Sequence, residues 1–591
     1  MDFRRLAAMR FGPCRGIAEY NRRNDSILFG EAPLGLLDQY RVRLYWETGR
    51  SAECEAVLQQ HIDEPTRAPA AIAAAQCQLR LCRPHTAVST LRAYQTRHPG
   101  ELRDPFWMAL SLALFLDGND EEAATVLLHA ARKRQDDPKS ALHPALVALS
   151  LATGRADLGF PHLVSYHERY PKEPWVCSVK VLEGDPNHPQ LTDEGRRILD
   201  SMRKRYESER NLHLRHSPPL PFLTKPCASS VAALYARRFD PQWPIWWSSG
   251  TANEREPLSQ RVKRIVLDYT ALLVMANVGF LQRLLEGPWD VVVVAPVIDT
   301  IIEDASRGVP LARTVWNALG DAARMTIEPS TPDAGARVLA EASKLCDPGT
   351  AATLGYAKRQ RLTLVLGDMR LAQFARARGI QAKEQIALLE SMRQTEMCDP
   401  EEWTNMVVKL LREHHLFVPV SIRDLVTAWR GDNFVMAENT SALFWSEIGT
   451  HLDMRSCLTV YGTFVQMVLH DCNIAEREKA RLVQAYASIL NSKMRALTST
   501  LFGPPQPGGD MDAAVGEVSL VVRTIAEVLW TGMWSGNNAS LGLVRGALTK
   551  GMDVPFLADD LYTAANRIAR KAAQEMDLSN VPMSIEGLDE S

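Results

Sequence analysis

The sequence predicts a multidomain protein with an N-terminal α-helical repeat solenoid, a central α/β domain with a parallel sheet, and a mostly α-helical C-terminal region. Residues from about 35 to 175 are rich in Ala, Leu, Gln, Arg and Glu, a composition that favours helices. Between about 260 and 395, short apolar strands alternate with helical stretches, which is typical of a parallel sheet covered on both faces. We therefore expect four regions, at residues 1–175, 176–259, 260–395 and 396–591.

Composition and charge are those of a soluble globular protein. Of the 591 residues, 46% are hydrophobic and 23% are charged. The formal net charge is −3, so any nucleic acid must be bound by a local patch rather than by a global basic field. The ten cysteines lack metal-binding spacing and are expected to be reduced and mostly buried. Because the chain has no run of 18 apolar residues and no signal-peptide core, we expect a cytoplasmic protein without a membrane partner.

Helical repeats are predicted by four similar turns in the N-terminal region. The turns are spaced by 33, 36 and 36 residues, and an apolar helix follows each of the first three. They fall at Gly49-Arg50, Cys82-Arg83, Gly118-Asn119 and Gly154-Arg155. A helix–turn–helix unit with a period of about 34 residues resembles the tetratricopeptide repeat, which implies a concave face for a protein partner. A generic helical bundle is the alternative interpretation.

Residues 176–259 interrupt this pattern and are expected to form a Pro-rich, basic bridge. The basic residues that we assign to nucleic-acid binding are Arg203, Lys204, Arg205, Arg237 and Arg238. Aromatic faces on which bases stack would come from Trp243, Trp246 and Trp247. The alternative interpretation is a solvated helix face beside tryptophans that are buried at a domain junction.

Acidic residues follow two of the predicted strands in the α/β region. Residues 264–268 form a short apolar strand that ends in Asp268, and residues 362–366 form another that leads to Asp368. Ligands of parallel sheets bind at the carboxyl ends of the strands. The two acids, 100 residues apart in sequence, are therefore expected to converge on one pocket.

Three segments of this region together resemble the PIN family of metal-dependent nucleases. Leu267-Asp268-Tyr269-Thr270 is similar to the opening motif, in which a Ser or Thr follows the strand-end Asp by two residues. Residues 295–303, after a second apolar strand, are similar to the motif in which a helix delivers a Glu, here Glu303. Residues 366–380 are similar to the late strand, acid and helix, with Asp368 as the acid. The resemblance covers about 130 of the 591 residues.

This resemblance implies that a carboxylate cluster holding Mg²⁺ or Mn²⁺ hydrolyses phosphodiester bonds in RNA, expected to be single-stranded. Both cations prefer hard oxygen ligands, and they relieve repulsion between carboxylates, activate water and stabilise charge on phosphate. The implied metal ligands and catalytic acids are Asp268, Glu303 and Asp368. Thr270 is the fourth implied catalytic residue, and it would position a carboxylate or the water.

One acid of the family pattern is missing from its expected place. In the nearest match, residues 346–352, Thr350 stands where the family has an acid. Asp347 is the candidate replacement as a metal ligand, although Asp before Pro is also a common way to start a helix. Helix capping is likewise the alternative interpretation of Asp268 and Asp368. Glu303 has a solvated helix face as its alternative.

Two functions follow from these observations. The first is a metal-dependent endoribonuclease whose repeats recruit a partner, which the acids at 268, 303 and 368 favour. The second is a non-catalytic scaffold in which a degenerate PIN domain binds RNA or protein, which Thr350 favours. A dinucleotide-binding enzyme is disfavoured because the turn after the first strand has no glycines.

No metal is expected at His414-His415, because we place both on a helix, where adjacent side chains point in different directions. Residues 503–509 and 584–591 are predicted to be flexible.

Overall fold

The structure is a computed structural model, and the chain divides into two compact units. The first comprises residues 1–237 and 257–388, and the second comprises residues 238–256 and 389–591. The predicted repeat region and most of the predicted α/β region therefore lie in one unit.

The structure describes residues 36–63, 68–100, 102–171, 181–182, 190–191, 193–216, 218–240, 243, 245–246, 256–320, 322, 324–330, 346–416, 418, 420–444, 460–471 and 473–502. Trp247 and the segments 503–509 and 584–591 lie outside the described residues.

The N-terminal part of the first unit is an array of eight helices. They are α1 Leu36–Glu47, α2 Ser51–Gln59, α3 Ala68–Arg80, α4 Pro84–Arg97, α5 Asp104–Leu116, α6 Asp120–Lys133, α7 Leu142–Ala152 and α8 Ala156–Arg169. Each helix packs against the next along the chain, and α5 also contacts α3 and α7. The first residue of each predicted turn has a left-handed backbone, with φ of 73°, 55°, 84° and 73° at Gly49, Cys82, Gly118 and Gly154. Glycine adopts this conformation without steric cost, whereas Cys82 does not.

The predicted bridge contains regular structure. Strands β1 (Val181–Leu182) and β2 (Gln190–Leu191) pair in antiparallel fashion. They are followed by the 24-residue helix α9 (Asp193–His216). A 3-10 turn (Leu220–Leu223), helix α10 (Val231–Tyr235) and a second 3-10 turn (Ala236–Phe239) come next.

A five-stranded parallel sheet forms the centre of the first unit. Its strands are β4 Arg264–Leu267, β5 Asp290–Val294, β6 Met325–Glu328, β7 Thr363–Leu366 and β8 Ala382–Glu384. Their order across the sheet is β6-β5-β4-β7-β8, and every neighbouring pair is parallel. The associated helices are α11 Tyr269–Val278, α12 Leu281–Glu286, α13 Ala295–Ser306, α14 Pro310–Gly320, α15 Pro348–Gln360, α16 Met369–Ala377 and α17 Gln385–Gln394.

The three predicted strands of the sheet are confirmed as β4, β5 and β7. Their apolar side chains are buried, which explains why these strands carry the clearest sequence signal. The edge strands β6 and β8 were not predicted. Two helices rather than one continuous helix connect β4 to β5, because Gly279 ends α11 with φ of 82°.

Three helices of the array, α3, α5 and α7, pack against the α/β part of the unit. Helix α13 contacts α3 and α7, and α14 contacts α5. The guanidinium of Arg80 donates two hydrogen bonds to Asp299, from Nε at 2.7 Å and from Nη2 at 2.6 Å, and stacks on Trp46. Trp316 Nε1 donates to the Leu116 carbonyl at 2.9 Å. The chain itself thus covers the face that these three helices share, so a partner of the array would need another face.

The described part of the second unit is mostly helical, as predicted for the C-terminal region. Its helices are α18 Pro400–Arg412, α19 Ile422–Gly431, α20 Glu438–Leu443, α21 Tyr461–His470 and α22 Glu476–Phe502. Strand β3 (Ile245–Trp246) pairs in parallel with β9 (His415–Leu416). The placement of His414 and His415 on a helix was wrong, because His415 lies in β9 and His414 has φ of 56° in the preceding turn.

One expectation from composition agrees with the described residues. Six cysteines in this part of the chain are buried free thiols, namely Cys54, Cys77, Cys82, Cys227, Cys346 and Cys398. None of the helices described by the structure combines the length and apolar character needed to cross a lipid bilayer.

Candidate acid site at the carboxyl edge of the sheet

Asp268 and Asp368 lie at the carboxyl ends of neighbouring strands. Asp268 follows β4 directly, and Asp368 follows β7 after Gly367. The chain runs from β4 outward to β5 and β6, and then returns to the other side of β4 as β7 and β8. The gap between β4 and β7 is therefore the topological switch point, where open α/β sheets bind their ligands. The predicted convergence of these two strand ends is realised.

Asp268 is the N-cap of α11, and both of its carboxylate oxygens accept hydrogen bonds. Oδ1 accepts the backbone N–H of Ala271 at 2.9 Å, and Oδ2 accepts the hydroxyl of Thr270 at 2.5 Å. The Thr270 hydroxyl in turn accepts the backbone N–H of Gly367 at 3.0 Å. Thr270 thus holds the Asp268 carboxylate and joins it to the residue that precedes Asp368.

Gly367 allows the two strand ends to approach this closely. A Cβ atom at residue 367 would lie 2.6 Å from the backbone C and O atoms of Thr270 and 2.8 Å from the backbone N of Ala271. These distances are far inside ordinary van der Waals contact. Any residue other than glycine would therefore push the start of α16 away from the start of α11.

Asp368 is the N-cap of α16 and has one partner from a distant part of the chain. Its Oδ1 accepts the backbone N–H groups of Arg370 at 2.8 Å and Leu371 at 3.2 Å. Its Oδ2 accepts the backbone N–H of Leu220 at 2.5 Å. The 3-10 turn that begins at Leu220 therefore lies directly against this acid.

Asp347 caps α15, as the alternative interpretation of the Asp-Pro pair expected. Its Oδ1 accepts the Thr350 backbone N–H at 2.9 Å, and its Oδ2 accepts the Thr350 hydroxyl at 2.6 Å. Thr350 thus faces an acid at the start of its own helix. The first turn of α15 packs against α13, because a Cβ at residue 349 would lie 3.2 Å from Val297 Cγ2.

Burial raises the pKa of all three capping aspartates. Asp268, Asp347 and Asp368 are 1%, 8% and 5% exposed. Burial raises the pKa of Asp268 and of Asp368 to about 6, and it raises the pKa of Asp347 as well. The hydrogen bonds that each carboxylate accepts oppose the rise. Desolvation, rather than repulsion between the carboxylates, is the dominant cause.

Helix α13 buries Asp304 rather than Glu303. The carboxylate of Glu303 pairs with Arg307 one turn later on the same helix and is about one-third exposed. Asp304 is fully buried, and its Oδ2 accepts the hydroxyl of Tyr269 at 3.0 Å. Burial raises the pKa of Asp304 to about 6, and the hydroxyl of Ser230 opposes that rise. Asp304 was not among the predicted site residues, because helical periodicity alone does not show which of two adjacent acids faces inward.

The donor chemistry of these acids fits Mg²⁺ or Mn²⁺, but their arrangement in this structure does not. Carboxylate oxygens are the hard ligands that these cations prefer. Among the described residues, however, no three Asp, Glu, His or Cys side chains come together in a group that could hold a metal ion. The protein itself supplies a hydrogen-bond donor to every oxygen of Asp268, Asp347 and Asp368.

The five basic residues predicted to bind nucleic acid differ in their surroundings. On α9, Arg203 and Lys204 are exposed, and Arg203 pairs with Glu207. Arg205 pairs with Glu209 and donates to the Cys227 carbonyl at 2.6 Å. Arg203, Lys204 and Arg205 are thus the three of the five that are exposed.

Arg237 and Arg238 lie in mostly buried ion pairs. In the first unit, Arg237 pairs with Glu209 at 2.7 Å and lies over the Tyr206 ring. In the second unit, Arg238 is buried in an ion pair with Glu413 at 3.0 Å. Trp243, expected to offer a stacking face, is fully buried in that unit. The buried Trp243 therefore offers no exposed face on which a base could stack.

Comparisons with known proteins do not assign the chain to a family. No protein-family model, curated protein or solved structure matches it.

Proposed function

We propose that the chain is a divalent-metal-dependent endoribonuclease that acts on single-stranded RNA in the cytoplasm, with its acid site at the carboxyl edge of the parallel sheet. The observation that carries the proposal is the link between Asp268 and Asp368 across the switch point, through Thr270 and Gly367. A pair of strand-end acids at this place is the arrangement that the resemblance to the PIN family implies. The strand order, with β4 central and β7 beside it, supports assigning the PIN-like fold to this region.

The proposed roles follow from the contacts of each side chain. Asp268 and Asp368 are the proposed metal ligands, and Asp347 is the third, because it caps α15, which packs against β4, β5 and β7. Thr270 positions Asp268, since it donates a 2.5 Å hydrogen bond to that carboxylate. A divalent cation bound there would supply water activation and charge stabilisation on phosphate. Glu303 stays a candidate, although Arg307 holds its carboxylate in this structure.

We also propose that the helices α1–α8 are tetratricopeptide-like repeats. The proposal is supported by the recurrence of the same left-handed backbone at the four evenly spaced turns. Each turn joins two helices that pack together, as that repeat requires. In this proposal the array holds the α/β region through α13 and α14 and presents another face to a protein partner.

A non-catalytic scaffold is the second candidate, and one observation favours it. Each oxygen of the three capping aspartates accepts a hydrogen bond from the protein, and the three carboxylates are almost completely buried. Acids in this state complete helix N-termini and need no cation for that role. The two candidates therefore differ in whether the acids bind a metal.

The test is cleavage of labelled single-stranded RNA in Mn²⁺ by the full chain and by Asp268→Asn. The Asn side chain keeps one oxygen that caps α11 but removes the charge that would bind the cation. A matched control is Asp424→Asn, which changes a similarly buried helix-capping-box acid in the second unit.

We expect Mn²⁺-dependent cleavage that EDTA abolishes, that Asp268→Asn lowers about 100-fold or more, and that Asp424→Asn leaves unchanged. Equal cleavage by Asp268→Asn and the wild type would contradict the assignment of the site. A folded wild-type protein that neither binds Mn²⁺ nor cleaves RNA supports the scaffold.

A further inference from the structure

The amino edge of the parallel sheet, opposite the acid site, carries basic residues ahead of three neighbouring strands. Arg261 and Lys263 precede β4, Arg359 and Arg361 precede β7, and Arg378 precedes β8. The strands β4, β7 and β8 are adjacent and parallel, so the residues that lead into them lie at the same edge of the sheet. These five residues are named here the amino-edge cluster.

Two features of the fold bring the members of the cluster close together. Lys263 and Arg361 each stand two residues before the first pair of the β4–β7 ladder. The Lys358 Nζ donates to the carbonyls of Arg378 at 2.7 Å and of Gly379 at 3.1 Å, which joins the end of α15 to the end of α16. Because neighbouring strands lie about 4.8 Å apart, the cluster forms a row that follows the edge across three strands.

The positive charge of the cluster is not balanced by acids of its own segments. Residues 257–263, 357–362 and 377–382 contain no Asp or Glu. Within the part of the chain that the structure describes, none of the five residues forms an ion pair. The basic residues of α9 differ in this respect, since Arg203 and Arg205 each pair with a glutamate one turn later. The cluster is therefore a better candidate than α9 for attracting a polyanion.

The members of the cluster are accessible to a ligand. Every member is exposed except Arg378, which is half-buried. The guanidinium of Arg378 stacks on the Phe374 ring, 3.6 Å from its centroid. Stacking uses a face of the guanidinium, whereas the N–H groups that bind anions lie along its edge. Phe374 therefore holds this cation in place without neutralising it.

Arg361 has a backbone conformation that is unusual for arginine. It is the C-cap of α15, with φ of 53° and ψ of 36°, in the left-handed region. Glycine adopts this conformation at helix ends without steric cost, as Gly279 does at the end of α11, whereas a residue with a Cβ atom is strained there. An arginine at a position where glycine would be more stable indicates that its side chain serves a purpose other than folding.

We propose that the amino-edge cluster binds the phosphate backbone of single-stranded RNA. Four of its five members are arginines, whose planar guanidinium donates paired hydrogen bonds to phosphate oxygens. A row of cations across three strands suits a chain of successive phosphates better than a single anion. The inference deepens the proposed function by locating a contact surface for the substrate, and it rests on that function for the choice of RNA as the polyanion.

The cluster and the acid site lie at opposite edges of the same sheet. The strands β4 and β7 each contain four residues, so about 13 Å separates the two edges along the strands. An RNA chain held by the cluster must cross this distance to reach Asp268. The cluster therefore anchors RNA by its backbone, without reading its sequence, while a more distant part of the same chain meets the acid site.

The test measures binding of a labelled oligouridine of about 16 nucleotides, a length that covers known single-strand binding sites, by fluorescence anisotropy. EDTA is present, so that binding is measured without metal-dependent cleavage. The full chain is compared with Lys263→Gln/Arg361→Gln. The matched control is Arg132→Gln/Lys133→Gln, which removes one arginine and one lysine, both exposed, from α6. Arg361→Gly keeps the test valid if the double variant fails to fold, because glycine suits the left-handed backbone.

We expect the double variant of the cluster to bind RNA about 20-fold more weakly near 0.1 M salt, because each lost phosphate contact lowers the salt dependence for single strands by about 0.7. Arg361→Gly should bind about five-fold more weakly by the same reasoning, and it should unfold at the same urea concentration as the wild type or higher. The control pair should bind as the wild type does. Oligoadenosine should bind as tightly as oligouridine, since phosphate contacts carry no sequence information.

The outcomes separate the RNA surface from the nuclease. Equal RNA binding by the wild type and the cluster variants overturns the surface, and Mn²⁺-dependent cleavage that Asp268→Asn abolishes would then leave the nuclease standing. Weaker binding by the cluster variants alone, without cleavage by the wild type in Mn²⁺, supports the surface and overturns the nuclease. An equal loss in the control pair overturns the surface, because net charge would then explain the effect. Binding to phosphatidylserine vesicles but not to RNA also overturns it.

Discussion

Replacing Gly367 with alanine tests whether the close approach of β4 and β7 builds the acid site. The new Cβ atom would meet the Thr270 backbone C and O atoms at 2.6 Å. Neither strand end yields easily, because β4 is the central strand and β7 is its neighbour. The Thr270 hydroxyl would also lose the Gly367 N–H that it accepts at 3.0 Å. The substitution therefore acts on both the packing and the hydrogen bonds of the site.

The size of the effect follows from the short distance between the new Cβ atom and the Thr270 backbone. Carbon contacts relax at about 3.5 Å, so the strand ends must separate by about 0.9 Å. Overpacking of this kind in a buried region costs about 1–3 kcal/mol of the free energy of unfolding. A misplacement near 1 Å at a catalytic centre lowers the rate about 100-fold. We therefore expect Gly367→Ala to be less stable and nearly inactive as a nuclease.

The assay is urea unfolding followed by fluorescence, with Gly320→Ala as the matched control. A Cβ at residue 320 meets no atom within 4 Å, and that glycine ends helix α14 without a left-handed backbone. The control should be as stable as the wild type or slightly more so. If Gly367→Ala has the same unfolding midpoint as Gly320→Ala, the close approach is not a constraint and the reasoning is refuted.

Three further predictions concern the helical array. Burial lowers the pKa of His162 to about 4, below the unfolded value of about 6.5, so this residue's contribution to stability is present above pH 6.5 and is lost as the pH falls toward 4. Because His162 is partly exposed, we discount this shift and expect it to contribute about 1–2 kcal/mol to the free energy of unfolding. His162→Gln should therefore lose less stability than the wild type between pH 7 and pH 4.5 in urea titrations, and equal losses would contradict this. Gly118→Ala should lower the free energy of unfolding by about 1–2 kcal/mol, because φ is +84° with no neighbour within 4 Å, while Gly100→Ala should not. Arg80→Met should destabilise the first unit by about 1.5–3 kcal/mol, because it removes two hydrogen bonds to Asp299. Differential scanning calorimetry checks this last prediction, and an unchanged unfolding temperature would show that the pair does not stabilise the unit.

Strong local patterns made part of the fold predictable. The strands β4, β5 and β7 are continuous apolar runs, since both faces of a central parallel strand are buried. The turns at Gly49, Gly118 and Gly154 were predictable because glycine adopts a left-handed backbone readily. The edge strands β6 and β8 were missed because their burial is mixed and their sequences are not continuously apolar.

The inward-facing acid of α13 was not predictable from residue types. Glu303 and Asp304 are adjacent on the helix, and the family pattern favoured the glutamate. Packing of α13 against its neighbours decides that Asp304 is buried beside Tyr269 while Glu303 pairs with Arg307. The same limit applies to Arg238, which looks like part of an exposed basic run but is buried against Glu413.

The sequence alone determined the strand ends at Asp268 and Asp368, because each acid is fixed by local signals: an apolar strand before it and a helix after it. Only the tertiary structure decided which other groups reach those acids. The donor on Asp368 comes from Leu220, 148 residues earlier, and the array meets Asp299 through Arg80, 219 residues away. Such contacts depend on how separate elements pack, and no local pattern of residues encodes them.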